Sequence, residues 1–369
     1  MKNVDVGWGI ISACNMQCKF CYSADVRQEI RKGDVGIREW IDFVDKNRES
    51  IDSINYGTGE NSLLDDWYQF VKYIAENHPH IKQAITTNGT LYEKMMKNPE
   101  YEKIINQGIS EVDVSLDYYD SQKHDELRGL KGAFENATSM LKYCKGTDIE
   151  ATLVFIGIND VIRIDNLEGL FGFAKDVDCK LRTNIFRPMN IQDKRIQSFI
   201  AEYDSIVKML RWIDENHSIL YLGDPLFSTI LTDGAAATDP SGVKSIRILS
   251  NGDITPSTYL ISREFRKVNI KEAILADIDV DSMGMNFELP EKCSTCKHKD
   301  RCKGGVLDRR YLWYGTFNEA DPYCPFRKEN CEPDFKVRIN PFNEKIVSVH
   351  KDYLPTMFFL TRSGEGFDE

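Results

Sequence analysis

No stretch of this 369-residue chain stays apolar for anything near the roughly 18 residues that a membrane-spanning helix needs. The first residues, Met1-Lys-Asn-Val-Asp, have neither the basic region nor the apolar run of a secretory signal. An internal repeat of solenoid period and a low-complexity tract are also missing. So is net positive charge. The formal balance is -11 and the pI ≈ 5.2, which argues against a broad nucleic-acid or anionic-membrane footprint. A cytoplasmic protein is expected, with one large domain and a smaller one, and its 41% hydrophobic residues suffice for a substantial core. Cysteine, in contrast, is plentiful. Ten of them in a reducing compartment point to metal ligands or catalytic thiols before disulfides.

Three stand together as Cys14, Cys18 and Cys21, in the pattern Cys-x3-Cys-x2-Cys, with Phe20 before the last. Three thiolates that close can hold three irons of a four-iron four-sulfur cluster and leave the fourth without a protein ligand. Structural zinc and structural clusters normally take four. An iron with an open position can coordinate a small molecule.

Around this loop the chain alternates apolar strand-like runs with amphipathic stretches. Strands are expected over Val6–Ser12, Ile51–Tyr56, Ile81–Thr87, Glu111–Leu116, Ile149–Ile156 and Lys180–Phe186. Helices are expected over Ile37–Asn47, Leu64–Asn77, Tyr92–Gln107, Gly132–Cys144, Asp165–Ala174 and Ile191–Asn216. Repeated strand–helix units imply parallel strands with crossover helices, in an open sheet or a barrel, and six units are too few for a full eight-unit barrel. The expected class is α/β, a partial (β/α)6 TIM-like barrel over 1–217. After 217 the alternation stops. A bridge (218–240), a cysteine-rich domain (241–332) with a hairpin around Asn251-Gly252, and a C-terminal extension (333–369) follow. Chemistry-bearing residues fall at strand C-terminal ends, where parallel α/β folds place their sites: the cysteine loop, Tyr56-Gly-Thr-Gly-Glu60, Thr87-Asn-Gly-Thr90 and Ser115-Leu-Asp117.

With its aromatic residue and spacing, the segment Cys14–Cys21 resembles the radical S-adenosylmethionine (SAM) superfamily. The C-terminal Cys293-x2-Cys296-x5-Cys302, with Lys303-Gly-Gly305 and Asp321-Pro-Tyr-Cys324-Pro, is similar to the SPASM and twitch extensions of its peptide-modifying branch. The resemblance implies that Cys14, Cys18 and Cys21 hold a SAM-binding [4Fe-4S] cluster, with Phe20, Thr58, Gly59 and Glu60 at the cofactor. Thr58-Gly59-Glu60-Asn61 departs from the family's Gly-Gly-Glu-Pro, which leaves the backbone path at Thr58 in question. By the same resemblance, Ser115 meets the ribose or carboxylate of SAM and Arg128 pairs with its carboxylate, although Ser115 and Asp117 could simply cap a helix. Asn88 and Asn184 are candidates for the same ligand or for plain turn and strand-end roles.

Spacing alone leaves zinc or an iron–sulfur cluster open at Cys293, Cys296, Cys302 and Cys324; the resemblance implies an auxiliary [4Fe-4S] cluster. Ser257 and Val306 stand where the full pattern has cysteines of a third cluster, so two clusters in all are expected. Cys144 and Cys179 read as buried structural thiols. Cys331 is a candidate hydrogen donor. The implied function is a radical SAM oxidoreductase that modifies a ribosomally made peptide by cross-link, epimerisation or oxidative excision. A flavodoxin or ferredoxin would serve as electron donor. Only 13 residues precede Cys14, so peptide recognition is expected to need either a separate leader-binding partner or the barrel surface itself. The alternatives are a small-molecule radical SAM dehydrogenase and a non-catalytic zinc or iron–sulfur binding protein.

Overall fold

A computed structural model describes residues 3–24, 27, 33–234, 236–328, 333–340 and 348–362. Six parallel strands run in sequence order: β1 (Val4–Trp8), β2 (Ile51–Tyr56), β3 (Lys82–Thr87), β4 (Glu111–Ser115), β5 (Glu150–Gly157) and β6 (Lys180–Ile185). Their crossovers are α1 (Ile37–Asn47), α2 (Asp65–Asn77), α3 (Thr90–Lys97), α4 (Pro99–Gly108), α5 (Ser121–Arg128), α6 (Ala133–Cys144) and α7 (Ile164–Val177). Beyond β6 come α8 (Lys194–Gln197), α9 (Tyr203–Asn216), β7 (Ser218–Leu222) and α10 (Pro225–Leu231), then β8 (Ser245–Ile248), β9 (Asp253–Thr255) and β10 (Val268–Asn269). The last described elements are α11 (Lys299–Cys302), α12 (Leu307–Tyr314) and β11 (Met357–Leu360). The strand order β10-β9-β8-β1-β2-β3-β4-β5-β6-β11-β7 has β10 and β7 as its edges. The sheet does not close, and the fold is a partial (β/α)6 TIM-like barrel. No described helix is long and apolar enough to cross a membrane.

The core lies between strands and helices. Trp8 meets Phe43 and Phe70 edge-on, with ring centroids 5.6 and 5.4 Å apart, an arrangement that aromatic quadrupoles favour. Both expected structural thiols, Cys144 and Cys179, are buried in this core, and burial pushes each up to about 12.

The first strand spans Val4–Trp8 instead of Val6–Ser12, because Gly9 onward turns away to form the cysteine loop. The stretch 92–107 holds two helices. Pro99 cannot continue a helix, and the Asn98 side chain instead caps α4 by accepting from the amides of Glu100 and Tyr101. The stretch 191–216 also divides, since Ile200 leaves the helical path to bridge antiparallel to Ile158. Two features were not anticipated. Helix α5 is a short polar helix opened by the Asp120 cap and closed at Gly129 (φ 68). Strand β11 arrives from the C-terminal extension and inserts antiparallel between β6 and β7. The Asn251-Gly252 hairpin forms as β8–β9, and β8 pairs in parallel with β1.

Phe359 of β11 is fully buried and stacks 6.4 Å from Phe155. Phe359→Ala should therefore cost about 3–5 kcal/mol, read as a lowered urea midpoint, whereas a strand that merely decorates the surface would lose less than about 0.5 kcal/mol.

Candidate active site

The cysteine loop is pinned by two neighbouring strand ends and one helix end. Glu60 N donates to Ala13 O at 3.0 Å, and Ile10 N donates to the Asn61 side chain at 3.1 Å. From the α5 end, Gln17 N and Lys19 N donate to the carbonyls of Arg128 (3.2 Å) and Leu127 (3.1 Å). Asn88, at the end of β3, gives its amide to Asn15 Oδ1 at 2.9 Å and to Cys14 Sγ at 3.8 Å. Gly59 (φ +68) lies so close that an added Cβ would sit 2.5 Å from both Ile11 O and Ala13 O. No other residue fits there without moving the loop.

Cys14, Cys18 and Cys21 are free and half-buried. Donors are aimed at their sulfurs: Met16 N at Cys14 (3.4 Å), Asn88 Nδ2 at Cys14, and Arg128 Nη1 at Cys18 (3.9 Å). Such donors stabilise thiolates and tune clusters. Burial pushes the Cys14 and Cys18 thiols up, with Arg128 opposing at Cys18, so metal loading must release protons. A three-thiol set with amide and guanidinium donors on its sulfurs fits a cluster that carries one open iron.

The other expected residues divide by what they touch. Arg128 is fixed by Asp117, Nε to Oδ2 at 2.7 Å, and its guanidinium lies 5.1 Å from the Phe20 ring centroid. Asp117 accepts in turn from Ile156 N, and its own amide donates to His124 Nδ1 at 3.1 Å. Ser115 and Asn184 line the barrel cavity together with Phe20, Thr58 and Arg128. Glu60 is 1% exposed, and its carboxylate accepts from Ser62 Oγ, Thr87 Oγ1 and Asn88 N. That carboxylate thus braces the end of β3. Thr58, where the family has glycine, does take the left-handed conformation (φ 79). That strain is worth about 1–3 kcal/mol, and it is opposed by hydrogen bonds to Thr58 Oγ1 from Tyr22 (2.5 Å) and Arg247. Cys331 lies outside the described residues.

Cys293, Cys296, Cys302 and Cys324 converge on one small, almost wholly apolar cavity with Leu226, Ile230 and Phe326. The turn that allows this runs through three consecutive left-handed residues, Lys303, Gly304 and Gly305. Asp321 ties it down by accepting from Val306 N and Tyr323 N. Arg309, wholly buried, bridges Asp321 and Asp224. At the positions where a further pair of ligands was expected to be lost, Ser257 Oγ donates to Asp308 Oδ2 at 2.8 Å, and Asp308 is paired with buried Arg187. An ion pair occupies the neighbourhood of those two positions.

Residues 8–169 match the family model described as the radical SAM superfamily. Over these residues the chain is similar to the radical SAM superfamily. It is 24% identical over 336 residues to the mycofactocin maturase MftC of Mycolicibacterium smegmatis, covering 86% of this chain and 81% of the relative. It is 23% identical over 350 residues to the AdoMet-dependent heme synthase of Methanosarcina barkeri, covering 87% and 96%. Among solved structures, SuiB of Streptococcus suis bound to precursor peptide SuiA superposes with a TM-score of 0.69 at 16% identity, over 88% of this chain and 76% of that one. SuiB is also known bound to S-adenosylmethionine. The partial barrel is thus the fold of radical SAM enzymes.

Sequence reasoning missed the residues that complete the cavity. Arg182 sits inside a strand read as apolar, Arg247 in the hairpin around Asn251-Gly252, and His350 and Tyr353 come from the C-terminal extension. A charged residue within a strand pattern was the available signal.

Two outcomes follow. Gly59→Ala should leave a folded protein that fails to hold a cluster at Cys14, Cys18 and Cys21, seen as about four fewer irons per chain after anaerobic reconstitution with far-ultraviolet circular dichroism unchanged. His124 is the second. Burial lowers it to about 4, against about 6.5 when unfolded. Between these values the unfolded chain binds more protons, so this contribution is complete above pH 6.5 and is lost as pH falls toward 4, on the order of 3 kcal/mol. Urea unfolding at pH 7 and pH 5 should show that loss, and His124→Asn, which keeps an acceptor for Asp117 N, should flatten it.

Proposed function

We propose that this radical SAM enzyme modifies a ribosomally made peptide, by a carbon-centred cross-link, an epimerisation or an oxidative excision. The observation that carries the reading is the pinned cysteine loop opening onto the barrel cavity, in a chain similar along most of its length to a peptide maturase. Cys14, Cys18 and Cys21 would hold the cluster, and Cys293, Cys296, Cys302 and Cys324 an auxiliary one. Bound together, cluster and SAM supply a 5′-deoxyadenosyl radical that removes a hydrogen atom from an unactivated carbon.

The chain's residues do the rest. Phe20, Thr58, Gly59 and Glu60 shape the cofactor's end of the cavity, with the Gly59 backbone free of side-chain bulk. Arg128, held by Asp117, offers its guanidinium to the carboxylate of SAM, a match its planar fork suits. Ser115 and Asn184 offer hydrogen bonds from strand ends. Asn88 serves mainly through Cys14, as a positioning residue. Cys331 is a candidate hydrogen donor. By function the chain divides into the barrel (1–217), a bridge (218–240), the auxiliary-cluster unit (241–332) and an extension (333–369), although β8 and β11 hydrogen-bond into the barrel sheet. A flavodoxin or ferredoxin as electron donor, a separate leader-binding protein and a cytoplasmic location complete the proposal.

A second reading, in which the substrate is a small molecule, is favoured by the similarity to AdoMet-dependent heme synthase. Metal analysis and peptide chemistry separate the possibilities. Anaerobic reconstitution should give about eight irons per chain, falling to about four when Cys14, Cys18 and Cys21 are all replaced by alanine, with SAM cleavage abolished. Four irons in the unaltered protein, or zinc at the second site, sinks the auxiliary cluster. Reduced enzyme with SAM should change the mass of a short peptide encoded beside its gene. Persistent lack of such a change in favour of a small-molecule product would replace the first reading by the second.

A further inference from the structure

Five arginines are at most 2% exposed, and four are fully accounted for or nearly so. Arg187 pairs with Asp308, and Arg309 with Asp224 and Asp321. Arg310 donates to the carbonyls of Glu319, Lys303 and Phe317. Arg182 has one carboxylate, Asp113, at 2.5 Å, yet its Nε and Nη1 have no partner. Among the described residues Arg310 has no carboxylate but spends all three of its nitrogens on carbonyls; Arg247 has neither a carboxylate nor a full set of acceptors. It donates to Gly57 O and Thr58 Oγ1 and reaches Tyr353 OH at 3.4 Å, and its Nε has no partner. A guanidinium cannot shed its charge, and a buried charge without a counterion is strongly disfavoured.

These groups are connected. Asp113 accepts from Arg182 on one side and faces His350 Nδ1 at 3.1 Å on the other. The His350 ring lies 5.8 Å from that of Tyr353, which leads to Arg247. Arg182, Arg247, His350 and Tyr353 all line the same cavity of about 190 Å³. The buried nitrogens left over on Arg182 and Arg247 can only donate, while Asn184 Oδ1 is left over as an acceptor. Two guanidinium groups with unspent donors, one of them lacking an anion, suit a group that accepts and carries negative charge. A carboxylate is that group.

We propose that the barrel interior recognises its substrate through a carboxylate held by Arg182 and Arg247. The site adjoins the SAM end, where Arg247 donates to Gly57 O and Thr58 Oγ1, and extends away from it. The cysteine loop and Arg128 lie at the C-terminal ends of the strands, whereas Ser348 Oγ and Val349 N bind Glu111, the first residue of β4. His350 and Tyr353 therefore approach from the opposite end, below the position of SAM. The inference rests on reading the barrel as the reaction chamber. It names the substrate feature, a chain-terminal or side-chain carboxylate, that the chamber holds.

The test uses the reconstituted full chain with glutarate as probe and glutaramide as its neutral counterpart. Glutarate should raise the melting temperature saturably and glutaramide should not. Saturating SAM should leave the glutarate shift in place, and Arg247→Gln should weaken the glutarate midpoint at least tenfold. Equal behaviour of the two probes overturns the proposal without need of any variant. Erasure of the shift by SAM assigns the guanidinium to SAM's own carboxylate and overturns it too, and inorganic phosphate binding more tightly than glutarate overturns the choice of anion. A peptide that is modified equally well with all its carboxyls amidated removes the anion site and leaves the maturase reading intact. Glutarate binding with no peptide ever modified does the reverse.

Discussion

The close approach of Gly59 to the carbonyls of Ile11 and Ala13 is the contact on which the active end of the barrel depends. Backbone meets backbone there, with no side chain between, so the position of the first cysteine loop is set by the sheet itself. Everything that faces the cavity takes its place from that registration. Asn88 reaches Cys14 because β3 lies beside β2, and Arg128 reaches Cys18 because α5 ends under Gln17 and Lys19. A loop bearing three thiols would otherwise sample many arrangements; held from two strand ends and a helix end it is preorganised, and the ordering cost of ligand binding falls.

The barrel mouth was legible in the sequence because its residues obey a positional rule: a parallel strand ends, and the next few residues face the ligand. Cysteines, Thr58 to Glu60, Asn88 and Ser115 could be read that way. Helix α5, which carries Arg128, could not, since Ser-Gln-Lys-His-Asp-Glu-Leu-Arg has almost no apolar face and only its Asp120 cap and Gly129 stop to announce it. The barrel interior was hidden for a different reason. Strand reading assumes that what points inward is apolar, and Arg182, Asp113 and Arg247 point inward as charges. Arg182 and Asp113 meet across 69 positions, and Arg247 finds its partners 106 to 190 positions away, distances that no local pattern carries. The break at Asn98-Pro99 was legible and was passed over.

Thr58 shows how a departure from a family pattern is accommodated. A β-branched residue in a left-handed conformation is a local conflict, and conflicts of that kind concentrate at functional sites. Its hydroxyl gives back two contacts that glycine could not make, to Tyr22 on the cysteine loop and to Arg247 on β8. The substitution therefore links the cofactor end of the cavity to its charged wall. Loss of two cysteines at Ser257 and Val306 has a similar outcome. Ser257 feeds the Arg187–Asp308 pair, and a polar network lies where the fuller pattern has cluster ligands.

Strand β11 gives the molecule a folding order. It pairs with β6 and β7, yet between β7 and β11 the chain passes through the whole cysteine-rich segment. The sheet cannot be completed until that excursion has been made and has returned, a long-range closure that is intrinsically slow. Until then β6 presents an open edge, and open edges invite pairing with other chains. Compaction of the cysteine-rich segment would shorten the effective loop, and so would hasten the moment at which β11 covers the edge of β6.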